Sequence, residues 1–221
     1  MRRSAFTMIE LLVVMTVILI LTGILIPVIG MVRRQAKDVQ CTHNLQQLGI
    51  GITAFQQSNN NMFPESLSQM FASGQPLSGE SMRVLLCPHD ATKGGDMFFN
   101  RSSLNNSNTS ELYDPTHTFA YPSMKHSYMF EAANVALDHD AVAQAWFDPG
   151  STTWAAAKVH QLKHGGPGGN PYRPEDFPIL RCFWHSTFTD ANKGTNKKVL
   201  NLTWAMTTKW TAPWWEKEFN P

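Results

Sequence analysis

Residues 11–32 read LLVVMTVILILTGILIPVIGMV, 22 consecutive positions without a charge, in which Thr16 and Thr22 are the only clearly polar side chains. As an α-helix rising about 1.5 Å per residue the run is about 33 Å long, enough to cross a hydrocarbon core of about 30 Å. Arg2 and Arg3 make a basic start, as in a secretory signal peptide. The run is longer than the apolar region of about 7–15 residues found in such peptides. It also ends in Pro27-Val28-Ile29-Gly30-Met31, not in a small-x-small cleavage site. A retained membrane helix is the better reading. Arg33, Arg34 and Lys37 follow the span, so counting positive charges on either side does not assign its orientation.

Outside this segment the chain is polar but weakly charged. Of 221 residues, 18 are Lys or Arg and 17 Asp or Glu, a net charge of +1, which gives no support to a nucleic-acid partner. Charged residues make up 16%, below the roughly 25% of an ordinary soluble domain, while 43% are hydrophobic. Three cysteines are too few for a disulfide scaffold, and with no C-x-x-C among them they do not read as a zinc site. A cytosolic enzyme is disfavoured.

Glu10 is the only charge between Arg3 and Arg33. An ionised carboxylate in a membrane segment is costly unless it stays near the headgroups or finds a partner. With its neighbours, Ala5-Phe6-Thr7-Met8-Ile9-Glu10-Leu11-Leu12-Val13-Val14, it resembles the prepilin cleavage and methylation signature of type IV pilins and type II secretion pseudopilins. The resemblance implies a leader, Met1–Ala5, removed on the cytoplasmic side by a prepilin peptidase. Phe6 becomes the first mature residue and is N-methylated, and Glu10 becomes the fifth. The family has Gly before the cut, and here Ala5 stands there. Glu10 would meet the new amine of a neighbouring subunit during assembly, which makes a buried carboxylate tolerable. Pro27 falls at the twenty-second mature position, where many type IV pilins carry a helix-breaking proline; two readings stay open, a segment that unwinds when subunits pack and a mere kink in a membrane helix. The family topology puts the N-terminus in the cytoplasm and the rest outside, with an inner-membrane assembly platform and identical or related subunits as partners.

Beyond the span, Cys41, Leu45, Leu48, Ile52 and Phe55 recur at helical spacing and form one apolar stripe. Thr42, Asn44, Gln46, Gln47 and Thr53 take the opposite face. One helix from Phe6 to about Ser58 is expected, roughly 80 Å long. A second resemblance covers Cys41-Thr42-His43-Asn44-Leu45-Gln46-Gln47-Leu48-Gly49, Asn61-Met62-Phe63-Pro64, Leu86-Cys87-Pro88 and Ser127-Tyr128. These segments are similar to a pseudopilin-like group of planctomycetes and verrucomicrobia, although its closing Asp-Gly-His strand is missing from this chain. Cys41 and Cys87 match positions of that group and Cys182 does not, so a Cys41–Cys87 disulfide is the expected pairing, with Cys87–Cys182 its rival.

Residues 61–221 form the expected head, with thirteen Lys and Arg against fifteen Asp and Glu. Strands are expected at Arg83–Leu86, His126–Phe130, Ile179–Phe183 and Lys198–Trp204. In the last of these, Leu200, Leu202 and Trp204 alternate with Asn201 and Thr203 as in a half-buried strand. Short helices are expected at Ser66–Ala72 and Thr152–Lys163, the latter closed by Gly165-Gly166. The fold class is α+β, a long N-terminal helix packed against a small antiparallel sheet. Four segments follow: a leader at 1–5, a transmembrane and assembly helix at 6–32, its amphipathic continuation at 33–60, and the head.

His160 and His164 have the i, i+4 spacing of a zinc-protease helix, but Gln161 replaces the catalytic Glu. Gly165-Gly166-Pro167-Gly168-Gly169 lacks the Lys-Ser/Thr of a phosphate loop. Asp138-His139-Asp140 with Asp148 offers oxygen ligands but no EF-hand spacing. No cofactor or catalytic residue is therefore expected, with calcium the one ion left open. Trp204, Trp210, Trp214, Trp215 and Phe219 crowd the C-terminus, and Trp204 is expected in the core. The function read from all this is a structural subunit, a pilin or pseudopilin. It polymerises through its N-terminal helix into an extracytoplasmic filament of a type IV pilus or type II secretion system. The alternative is a membrane-anchored extracytoplasmic binding or enzymatic domain, which has no need of Phe6 and Glu10.

Overall fold

The computed structural model describes residues 7–91, 127–134, 150–165, 169–185 and 199–211. Helix α1 runs from Met8 to Ser58 with Pro27 inside it, in agreement with the single helix expected from the apolar pattern. The chain divides into two compact units, Met1–Gln40 and Cys41–Pro221.

In the first unit every Leu, Ile, Val and Met between Met8 and Val32 is exposed. This is the helix among the described residues that is long and apolar enough to cross a membrane. Its two threonines satisfy themselves. The Thr16 hydroxyl donates to the Val13 carbonyl at 2.8 Å and that of Thr22 to the Ile18 carbonyl at 2.8 Å. A hydroxyl so bonded needs no water, which suits it to hydrocarbon.

In the second unit the stripe read from the sequence is the helical wall of the core: Cys41, Leu45, Leu48, Ile52 and Phe55 are all buried. Two glycines on α1 bring its backbone close to its neighbours. A Cβ on Gly49 would lie 2.8 Å from Leu202 Cδ2, and one on Gly51 2.6 Å from Leu77 Cδ1. The helix stops where Asn60 and Asn61 enter the left-handed region, at φ 51° and 63°, a conformation asparagine tolerates better than most residues. The Asn61 amide then closes on the Gln56 carbonyl at 2.8 Å.

The sheet is antiparallel with order β1-β2-β3-β4, built from Met129–Phe130, Pro178–Cys182, Val199–Thr203 and Thr208–Thr211. With α1 it makes the α+β layout expected from the sequence. Phe130, Leu180 and Leu202 are register partners on one face, and Leu202 meets α1 at Gly49. Arg181 and Asn201 pair on the other face. All five residues of β3 are buried, not only alternate ones. Its second face is closed by polar groups that satisfy one another. Arg181 donates to Glu131 at 3.0 Å and to Asn201 at 3.3 Å. Glu131 also holds Lys158 at 3.0 Å, and Asn201 bonds to Thr211. All five of these residues, Arg181, Glu131, Asn201, Lys158 and Thr211, are buried, so alternation of apolar and polar residues hides a strand covered on both sides.

Three sequence expectations change. Arg83–Leu86 is not a strand: Met82–Leu85 forms a short 3₁₀ helix. Ser81 caps it by accepting from the Arg83 amide, and only Leu85 of its four residues is buried. Ser66–Ala72 is helical but as a 3₁₀ helix, Leu67–Phe71, capped by Ser66. Strand β4 carried no apolar pattern, since only Thr211 of Thr208–Thr211 is buried. It is placed by a tight turn with Met206 at φ 58° and by the Thr203 and Thr207 hydroxyls at 2.8 Å.

Helix α2, Trp154–His164, begins where Thr153 accepts from the Ala156 amide at 3.3 Å. It ends at Gly165, φ +80°, whose amide returns to the Gln161 carbonyl at 2.7 Å. Trp204 is half-buried, with its ring 5.1 Å from that of Phe63 and 6.1 Å from that of Phe177. Trp214, Trp215 and Phe219 lie outside the described residues.

Candidate functional site

Among the described residues two places carry chemistry, one in each unit. At the start of α1 the Thr7 amide and hydroxyl both donate to one Glu10 carboxylate oxygen, at 2.8 and 2.7 Å, and the Glu10 amide donates back to the Thr7 hydroxyl at 3.3 Å. This is a reciprocal capping box, Thr-x-x-Glu, and it satisfies amides that an α-helix leaves without intrahelical partners. Glu10 therefore has a local partner in the single chain, its own helix end. The side chain is exposed on an exposed apolar helix, within reach of a second chain. Pro27 sits inside the same helix. Ala5 and Phe6, expected at the cleavage and methylation site, lie outside the described residues.

The second place lies in the head, its three cysteines buried and its histidine half-buried. Cys41 comes from α1, Cys87 from the turn after the 3₁₀ helix Met82–Leu85, Cys182 from the end of β2 and His185 from the turn beyond it. Their three sulfurs and the imidazole nitrogen all lie within 4.8 Å of one another. Cys87 Sγ is 3.7 Å from His185 Nε2. The cysteines are 0–2% exposed and all three are free thiols. Cys41 and Cys87 were singled out from the sequence; Cys182 and His185 join them here.

The surroundings of this cluster are polar in a specific way. The His89 amide donates to Cys87 Sγ at 3.4 Å. The Asn44 amide nitrogen donates to the Leu86 carbonyl at 3.0 Å and to the Tyr128 hydroxyl at 3.3 Å, and that hydroxyl lies 3.8 Å from Cys41 Sγ. The Cys87 pKa is pulled below the usual thiol range by the Cys182 and Cys41 thiols, with the His185 ring and the His89 amide adding to it. For Cys41, the Cys182 thiol lowers the pKa, but the Cys87 sulfur and burial outweigh it and raise it on balance. Burial first, then the two neighbouring sulfurs, raise that of Cys182.

The other candidates read from the sequence do not converge on a site. His160 and His164 stack on each other, with ring centroids 4.3 Å apart, on the half-exposed side of α2. Asp138, His139, Asp140 and Asp148 lie outside the described residues.

A long N-terminal α-helix, apolar and exposed in its first half, and a head built around a small antiparallel sheet define a pilin-like layout. Residues 1–26 match the family described as the prokaryotic N-terminal methylation motif, the prepilin-type motif of type IV pilins and pseudopilins. The motif is that of proteins cleaved and methylated at their N-terminus, and it points to a structural subunit of the pilin or pseudopilin kind. No curated protein and no solved structure matches the chain.

Proposed function

We propose that the protein is a filament subunit that assembles through α1 into the extracytoplasmic fibre of a type IV pilus or type II secretion system. Prepilin peptidase removes Met1–Ala5 and the new Phe6 amine is methylated. An inner-membrane platform then lifts the mature chain out of the membrane, with the head on the far side from the cytoplasm. The observation that carries this reading is Glu10, the one charge on the exposed apolar part of α1 before Arg33, within a matched methylation motif. A simple anchor gains nothing from a charge there. A helix that must register against identical helices gains a fixed point when each Glu10 receives the Phe6 ammonium of its neighbour. In the single chain the carboxylate is held by Thr7, so assembly exchanges a capping contact for an ion pair.

Two measurements test it. Mass analysis of the purified chain should place the mature N-terminus at Phe6; retention of Met1 refutes the processing step. Glu10→Gln keeps the capping box, because Gln serves at that position as well as Glu, but removes the charge. The variant should insert in the membrane normally and fail to enter filaments sheared from cells. Normal filament yield from Glu10→Gln cells refutes the pairing.

A further inference from the structure

We infer that Cys41, Cys87, Cys182 and His185 bind one zinc ion that locks the head. The four groups come from three separate stretches of chain, at Cys41, at Cys87 and at Cys182–His185, and converge with the cysteines buried, His185 half-buried and every pair of ligand atoms within 4.8 Å. Tetrahedral zinc holds sulfur at about 2.3 Å and imidazole nitrogen at about 2.0–2.1 Å, which sets sulfur–sulfur edges near 3.8 Å and sulfur–nitrogen edges near 3.6 Å. The Cys87 Sγ to His185 Nε2 separation of 3.7 Å is already such an edge. The remaining separations need only small side-chain adjustments about a common centre.

The donor set selects the ion. Three thiolates and an imidazole are soft and borderline ligands that favour zinc over calcium or magnesium, and four protein ligands leave no open position for a substrate. The site is therefore structural. A disulfide alone would account for the cluster less well, since it uses two of the three sulfurs and gives His185 Nε2 no part.

The neighbours fit a thiolate centre. Binding releases three protons: Zn²⁺ plus three thiols and a neutral imidazole gives a complex of net charge −1 and three H⁺. Donors must face that negative charge. The His89 amide does so at Cys87. At Cys41 the partner is the Tyr128 hydroxyl, which accepts from the protonated thiol at 3.8 Å and would turn to donate to the thiolate. Asn44 is oriented by the Leu86 carbonyl, which can only accept, so it presents an N–H to the Tyr128 oxygen. Accepting that bond leaves the phenol in position to donate toward Cys41 Sγ. Such partners outside the ligand shell commonly change metal affinity by about 10–100-fold.

The test uses the full-length chain purified in detergent from its native host. Elemental analysis should find one zinc per chain, and all three thiols should resist alkylation until a chelator is added. Cobalt exchanged into the site should give the intense visible bands of a tetrahedral thiolate complex. Cys182→Ser should lose stoichiometric zinc. His185→Cys should keep zinc and add sulfur-to-cobalt charge transfer, which guards against a Cys182→Ser variant that merely misfolds. Tyr128→Phe should bind about 10-fold more weakly. Absence of zinc together with a mapped Cys41–Cys87 or Cys87–Cys182 disulfide overturns the proposal, as does zinc content unchanged in Cys182→Ser. Neither result bears on Glu10, so the filament reading stands or falls separately.

Discussion

Glu131 is 3% exposed and neutralises two cations that are equally buried, Arg181 and Lys158, each at 3.0 Å. Glu131→Gln keeps the shape and one acceptor oxygen but leaves two positive charges in the core. Breaking a buried ion pair by removing one partner costs about 3–5 kcal/mol, against a total stability of about 5–15 kcal/mol for a domain. Of the two cations, Arg181 retains Asn201 and the face of the Phe183 ring at 4.8 Å, which softens the loss. We expect a loss near the lower bound, about 3 kcal/mol. With a urea slope of about 2 kcal/mol per molar, the midpoint moves down by about 1.5 M. All 7 tryptophans lie beyond residue 140, so their fluorescence in the detergent-solubilised full chain follows the head and not the membrane half of α1. The same reasoning makes an unusual demand: Glu131→Leu, Lys158→Met and Arg181→Met combined should be milder than Glu131→Gln alone, because no unpaired charge remains. A Glu131→Gln midpoint equal to that of the parent, or a triple variant less stable than the single one, refutes the argument.

Other outcomes follow from single contacts. Thr153→Ala removes the hydroxyl that accepts from the Ala156 amide and should cost about 1 kcal/mol in the same urea assay. Gly165→Ala places a Cβ 1.8 Å from the Asn170 carbonyl oxygen at φ +80°; it should destabilise by more than about 1 kcal/mol and loosen the end of α2 to hydrogen exchange. Burial, followed by the charge on neighbouring Cys41, raises the Tyr128 pKa above its ordinary value of 10.0. A raised folded-state pKa means that its contribution to stability is complete below pH 10.0 and is lost as pH rises beyond it. Tyr128→Phe should flatten the alkaline fall in unfolding midpoint, and an unchanged fall counts against that assignment.

How much of this was legible depended on whether one residue's neighbours lie nearby in sequence. The stripe of Cys41, Leu45, Leu48, Ile52 and Phe55 recurs with the helical repeat, so a local pattern was enough to assign its buried face. The caps at Ser66 and Thr153 were likewise local. Strand β3 was found but its burial was misjudged, because Asn201 reads as a solvent-facing residue until Arg181 and Thr211 are brought beside it. The Glu131 cluster left no sequence signal, being joined from three distant segments. The thiol cluster has no local signature for the same reason: the chain has no C-x-x-C and offers only Cys182-Phe183-Trp184-His185, a Cys-x-x-His pair completed by two cysteines far upstream.

The close approach of Gly49 to Leu202 has a kinetic consequence. Helix α1 is made first on the ribosome and β3 among the last segments, so the contact that seals the core joins opposite ends of the head's sequence. Pairings of such long range make folding slow, because the loop-closure entropy is spent before the contact forms. Until β3 emerges, Leu45, Leu48 and Ile52 lack Leu200 and Leu202, which share their core cluster. A nascent or truncated chain therefore shows part of this apolar ridge for the time it takes to finish synthesis. Truncations that stop before Val199 should be cleared by proteases even though the N-terminal helix is intact.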